Sequence, residues 1–129
     1  MIYISDASDG SNVINLTVGD DASFTVALKT DDGDPYEMAA HEFLIFSVRE
    51  KASLESPLLL EITSELTSNV IDITHDDTKD MAPGFYSAEV QLMTDDGKRI
   101  TVWPKLQGNS RTSVANRKNF CLMTEVVGV

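Results

Sequence analysis

The sequence predicts an all-β domain, an antiparallel sandwich of two sheets. Three observations carry that expectation. About eight short segments alternate apolar and polar residues with a period of two. Turn signals rich in Gly, Pro and Asp separate them. Helical periodicity is almost absent. A closed barrel or jelly roll fits the same pattern and is the alternative.

In order, residues 1–12 are small and polar, and read as a loose arm after a short Ile2-Tyr3-Ile4 strand. Val13 to Val18 is a first strand and Gly19-Asp20-Asp21 a turn. Ser23 to Thr30 alternates cleanly, with Phe24, Val26 and Leu28 inward. Asp32-Gly33 closes a hairpin, and Pro35 holds Asp34 extended. Phe43 to Arg49 is a strand with Leu44, Phe46 and Val48 on one face. Phe43 and Ile45 make its second face apolar as well, which marks an interface. Leu58 to Thr63 is a strand with Leu58, Leu60 and Ile62 in phase, and Val70 to Ile73 is another. Lys98 to Trp103 runs back from a hairpin, and Phe120 to Val127 is the last strand. V-A-L-K-T-D-D-G at 26–33 echoes V-Q-L-M-T-D-D-G at 90–97, through shared hairpin chemistry rather than a duplicated domain.

The stretch Ile73 to Gly97 organises the chain. Asp76 or Asp77 caps a helical turn over Thr78 to Ala82, because a short carboxylate accepts bonds from free N–H groups one turn on. Pro83 ends that turn and Gly84 permits the reversal after it. From Phe85 to Thr94, Tyr86, Ala88, Val90 and Leu92 share one face. Asp96-Gly97 tolerates positive φ and makes a tight hairpin. An acidic helical turn, then Gly-x-Tyr at the start of a long inward strand, resembles the corner before strand F of immunoglobulin-like sandwiches. There a tyrosine hydroxyl bonds back to the backbone. The resemblance makes Asp77, Gly84 and Tyr86 the structural corner; the alternative is that Tyr86 is an ordinary aromatic core residue.

The 129 residues are the size of one domain, 1–129. No apolar run reaches the length that crosses a membrane. The start, M-I-Y-I-S-D-A-S-D-G, has neither a basic nor an apolar signal region, so the expectation is a protein not secreted by a signal peptide. The single Cys121 cannot form an internal disulfide. A net charge of −11 argues against nucleic-acid binding. The charge is uneven: residues 1–97 hold 4 basic and 20 acidic side chains, residues 98–129 hold 6 basic and 1 acidic. Pro104 to Asn119 is a long basic loop carrying Lys105, Arg111, Arg117 and Lys118. It is either a solvated loop or a docking surface for an acidic neighbour, which includes another copy of the chain.

No catalytic constellation stands out. Carboxylates cluster on turns at Asp31, Asp32 and Asp34, at Asp76, Asp77 and Asp80, and at Asp95 and Asp96. Calcium favours such oxygens, but none follows the spaced loop pattern, and turn chemistry and capping account for most. His41 and His75 are far apart and no Cys-x-x-Cys exists, so no transition-metal site is expected. There is no Gly-x-Ser-x-Gly elbow and no Gly-rich phosphate loop. No enzyme activity and no cofactor are expected. Trp103 is a core or edge tryptophan, or, if exposed, a stacking or anchoring residue.

The order of features resembles small tail-associated proteins of phages and prophages of Gram-positive bacteria, in particular the N-terminal Ig-like domain of baseplate upper proteins. The resemblance runs over about residues 13–127, and its most specific part is D-T-K-x-x-x-x-G-x-Y-x-x-E-V-Q-L at 77–92. The basic loop 104–119 departs from that pattern. The resemblance implies a non-enzymatic assembly module of a phage or prophage particle, in the tail or baseplate, made in the bacterial cytoplasm. Its partners would be other virion proteins or copies of itself, with no nucleic acid and no membrane. Phe43, Ile45, Trp103 and the four basic loop residues are the candidate contacts. The competing expectation is an Ig-like carbohydrate-binding or adhesive module with Trp103 and the turn aspartates at its site.

Overall fold

The computed structural model describes residues 3–4, 14–30, 32–50, 55–103 and 119–124. The described chain is all-β, with one short helix. In chain order the strands are β1 (Tyr3–Ile4), β2 (Ile14–Thr17), β3 (Ala22–Thr25), β4 (Leu28–Lys29), β5 (Phe43–Arg49), β6 (Leu58–Thr63) and β7 (Val70–Ile73). Helix α1 (His75–Thr78) follows, then β8 (Gly84–Met93), β9 (Arg99–Trp103) and β10 (Phe120–Met123). Six strands form one sheet in the order β2-β10-β8-β5-β6, with β9 also paired to β8. The pair β3-β7 lies over its inner face, and β1 pairs with β4.

The period-two pattern positions the core. Leu44, Phe46 and Val48 of β5 and Tyr86, Ala88, Val90 and Leu92 of β8 are all buried on the inner face. Facing them, Phe24 of β3 and Ile71 of β7 are direct partners in register. The Phe24 and Phe46 rings meet edge to face at 5.3 Å and join the two layers, while Phe46 and Phe120 meet at 5.8 Å within the large sheet. Burying a ring such as Phe46 stabilises by roughly 1.5–3 kcal/mol.

Several expectations change. The pairing is not all antiparallel: β2 and β10 run parallel, from Ile14↔Phe120 to Thr17↔Met123. Parallel neighbours need a long connection, and nearly the whole chain supplies it here. The single strand expected over 23–30 is two, because its partner changes. β3 pairs with β7, β4 pairs with β1, and the chain switches at Val26 and Ala27. There Val26 N donates to Asn69 O at 2.8 Å and Asn69 Nδ2 donates to Val26 O at 2.9 Å. Leu58 is exposed rather than in phase, since the register shifts between Val48 and Arg49 opposite it. The helical turn begins three residues earlier than expected, at His75. Of the N-terminal arm, Tyr3 and Ile4 pair with Lys29 and Leu28.

Candidate functional site

The corner between β7 and β8 is built from side chains of two distant segments. Thr74 is the N-cap of α1. The Asp77 carboxylate reaches back, accepting from Thr74 N at 2.7 Å and from Thr74 Oγ1 at 3.1 Å. Asp77 is therefore the third helical residue of a capping box, and Asp76 instead pairs at the surface with Lys79 at 3.2 Å. The helix is stitched to the β2–β3 turn. Gly19 N donates to Thr78 Oγ1 at 2.9 Å, His75 N donates to Asp21 Oδ1 at 2.6 Å, and His75 Nδ1 lies 2.6 Å from Gly19 O. A side chain at Gly19 would come within 3.3 Å of His75 Nδ1, which adds to the demand of its φ of +83° for glycine. Beyond the helix, Gly84 turns at φ +149° and Tyr86 Oη donates to Ala82 O. Asp77, Gly84 and Tyr86 thus serve the backbone of one corner.

The sheet edge next to β8 is the second unusual feature. β9 and β10 lie end to end along it. Val90 faces Trp103 and Tyr86 faces Phe120. In an unbroken strand Tyr86 would face residue 107. The stretch 104–118 connects the two strands, and its structure lies outside the described residues. Asn119 closes the gap. Its N–H donates to Tyr86 O at 3.1 Å, its Oδ1 accepts from Ala88 N at 2.7 Å, and its Nδ2 donates to Ala88 O at 2.9 Å. Only 2% of Asn119 is exposed, and its side-chain amide satisfies both backbone groups of Ala88 as a ladder partner would.

No protein-family model matches the chain, and no curated protein is significantly similar to it.

The expected contact residues fall in different places. Trp103 is 5% exposed, on the inner face opposite Val90, and is part of the core. It is not presented for stacking on a sugar. Ile45 sits on the outer face of β5 between Gln91 and Thr63 and is itself buried, because it occupies the middle of a three-strand row. Phe43, on the same face, is half-buried. Lys105, Arg111, Arg117 and Lys118 lie outside the described residues. Among the described residues the large exposed apolar side chains are others: Phe85 of β8, Met123 of β10, Leu58 and Leu59 of β6, Leu66 and Val70.

Several of the carboxylates, among them Asp76, Asp77 and Asp96, have side-chain partners in their own turn or helix. The two echoed T-D-D-G turns close identically. Gly33 N donates to Thr30 O at 2.9 Å and Gly97 N to Thr94 O at 3.0 Å, while Thr30 N and Thr94 N donate to Asp34 O and Lys98 O. The Thr94 hydroxyl donates to Asp96 and holds that carboxyl below its ordinary value. A shallow groove over β3 and β7 is lined by Asp21, Ala22, Ser23, Asp72, Ile73 and Thr74, and in it Ser23 Oγ donates to Asp72. Among the described residues no group of three or more His, Cys, Asp or Glu side chains is arranged to hold a metal ion, and no helix is long and apolar enough to cross a membrane.

Sequence reasoning missed one buried acid. Glu42 is 4% exposed at the start of β5. Its Oε1 accepts from Tyr36 Oη at 2.7 Å and from Ala39 N at 2.9 Å, and its carbonyl accepts from Thr67 N at 2.8 Å. Two loops are pinned by this residue. Donation to the carboxylate, with burial second, pushes the Tyr36 hydroxyl up to about 12.

Proposed function

We propose that the chain is a non-enzymatic assembly module of a phage or prophage particle, built as an Ig-like sandwich and acting through protein–protein contacts. The observation that carries the reading is the split strand edge of β8. β9 ends opposite Val90 and β10 begins opposite Tyr86 on the same edge of β8, with the buried Asn119 between them, so the fifteen residues 104–118 connect two strands of one edge, and a connection of that length is where binding function concentrates. The stretch carries four cations and no acid on a chain of net charge −11. Such a segment is suited to the acidic surface of a neighbour. The Tyr86 corner and the two packed layers support the Ig-like assignment, and the D-T-K-x-x-x-x-G-x-Y-x-x-E-V-Q-L resemblance supports the phage setting. Burial of Trp103 takes the one aromatic residue out of the site expected for the carbohydrate-binding alternative and leaves it the turn aspartates.

The test is co-purification. Particles from an induced producer strain, banded in a density gradient, are expected to contain the chain. Replacing Lys105, Arg111, Arg117 and Lys118 by Glu is expected to release it while leaving its melting temperature unchanged. A chain found only in the soluble fraction of such a lysate would refute the reading.

A further inference from the structure

The two echoed turns are a matched pair that differ in their side chains. Each carries an Asp-Gly step, Asp32-Gly33 and Asp96-Gly97; a third, Asp9-Gly10, lies outside the described residues. The backbones agree. The two glycines stand at φ +85° and +82°, and each donates its N–H to the carbonyl of the threonine that opens its turn. A side chain at either glycine would meet nothing within 4 Å. The carboxylates do not agree. Asp96 accepts from the Thr94 hydroxyl and lies 3.6 Å from Lys98 Nζ. In the other turn Asp34 stands where Lys98 does, and Thr30 Oγ1 is buried with no partner among the described residues instead of reaching Asp32. Asp32 is exposed, and among the described residues no side chain holds its carboxylate.

An aspartate followed by glycine can react with its own backbone, because glycine leaves its nitrogen unshielded. That nitrogen attacks Cγ of the aspartate. Its proton and the hydroxyl of the carboxyl group leave together as one water, and a five-membered imide closes. Water then adds to either carbonyl of the imide. Opening at Cγ restores aspartate. Opening at the backbone carbonyl routes the chain through the side chain and turns the old backbone carbonyl into a carboxylate, which is isoaspartate. The attack needs a carboxyl group free to turn onto the nitrogen, and the neutral acid is the better acceptor. Thr94 holds the Asp96 carboxyl in one orientation. The same bond, aided by Lys98, keeps that group below its ordinary value and so charged.

We propose that Asp32 is a self-modification site, which converts to isoaspartate in the folded chain through the nitrogen of Gly33, while Thr94 protects Asp96 in the twin turn. Water is the co-reactant, consumed and released in equal number. The product adds one carbon to the backbone inside the turn that Thr30 N and Asp34 O close, next to the Lys29–Pro35 bridge at the end of β4. It also moves a negative charge from side chain to main chain there. No partner is needed, so the reaction is independent of whether the chain assembles.

The experiment ages the full folded chain at neutral pH in heavy-oxygen water and maps its peptides by mass spectrometry. Each opening of the imide fixes one heavy oxygen, and electron-transfer fragmentation separates isoaspartate from aspartate at each position. Isoaspartate is expected at Asp32, in excess over Asp96 by about 3-fold or more, the order of factor that one hydrogen bond represents. Thr94→Val removes the hydroxyl and is expected to raise conversion at Asp96 toward that at Asp32. Thr94→Ser keeps the hydroxyl and is expected to keep Asp96 slow. Asp32→Glu, whose longer side chain must close a larger ring, is expected to lose the signal at position 32 and leave Asp96 unchanged. Unfolded in urea, the two sites are expected to convert at similar rates, since both read T-D-D-G. Circular dichroism melts check that each variant folds. Equal conversion at the two sites of the folded wild type, an excess at Asp96, or no isoaspartate at Asp32 overturns the proposal. A folded Thr94→Val chain in which Asp96 stays as slow as before overturns the protecting role of Thr94.

Discussion

Asn119 and Ala88 exchange two hydrogen bonds, side-chain amide to backbone, 31 residues apart in sequence. The pair reproduces the double bond of an antiparallel ladder at the point where β9 has ended and β10 has not begun. Truncating Asn119 to Ala leaves the N–H and C=O of Ala88 buried without partners. Each such group costs about 1–3 kcal/mol, so a loss of roughly 2–6 kcal/mol is expected in urea unfolding. A midpoint within error of the wild type would show that the stretch before Asn119 closes the edge instead.

Tyr86→Phe keeps the ring in the core and removes only the hydroxyl bond to Ala82. A loss of about 1 kcal/mol is expected, with an unchanged far-ultraviolet spectrum. A larger loss would mean that the hydroxyl bond fixes more of the corner than one carbonyl.

Asp76 and Asp77 are neighbours with different duties. Asp77→Ala removes the reach-back to Thr74 and is expected to cost about 0.5–2 kcal/mol. Asp76→Ala removes only an exposed pair with Lys79, for which a change of at most about 1 kcal/mol is the rule. Equal effects from the two would contradict the capping box.

The Tyr36–Glu42 bond predicts an alkaline dependence. The hydroxyl's folded pKa is about 12 against an ordinary 10.0. The folded state therefore holds the proton more tightly than the unfolded chain. The stabilisation is fully present below pH 10.0 and is lost as pH rises toward about 12. Urea midpoints measured across that window should fall, and Tyr36→Phe should remove that part of the fall. The phenolate absorbance of Tyr36, read as the difference between the wild type and Tyr36→Phe, should titrate in the same window.

How much of this was legible in the sequence depends on the range of the forces involved. Strand β5 and the inward face of β8 follow from local alternation, and both stand as read. The helix start was also legible, in Thr74-x-x-Asp77, but the carboxylates after it drew attention away from the threonine. The split at Val26 was not legible, because the residues alternate straight through it and only the change of partner breaks the strand. The inward Trp103 and the bridging Asn119 depend on which strand lies alongside, a register set by segments far apart in the chain. The buried Glu42 reads as one more surface acid until Tyr36 and Ala39 fold over it.

The parallel pairing of β2 with β10 has a consequence in time. A chain is made from its N-terminus, so β2 leaves the ribosome long before the strand beside which it will lie. Until Asn119 to Met123 emerge, β2 has no neighbour in the large sheet, and the first part of β8 has an open edge. The sheet therefore closes only after the basic stretch has already been synthesised. Contacts between such remote segments slow folding, and until they form the first part of β8 offers an open edge to other strands.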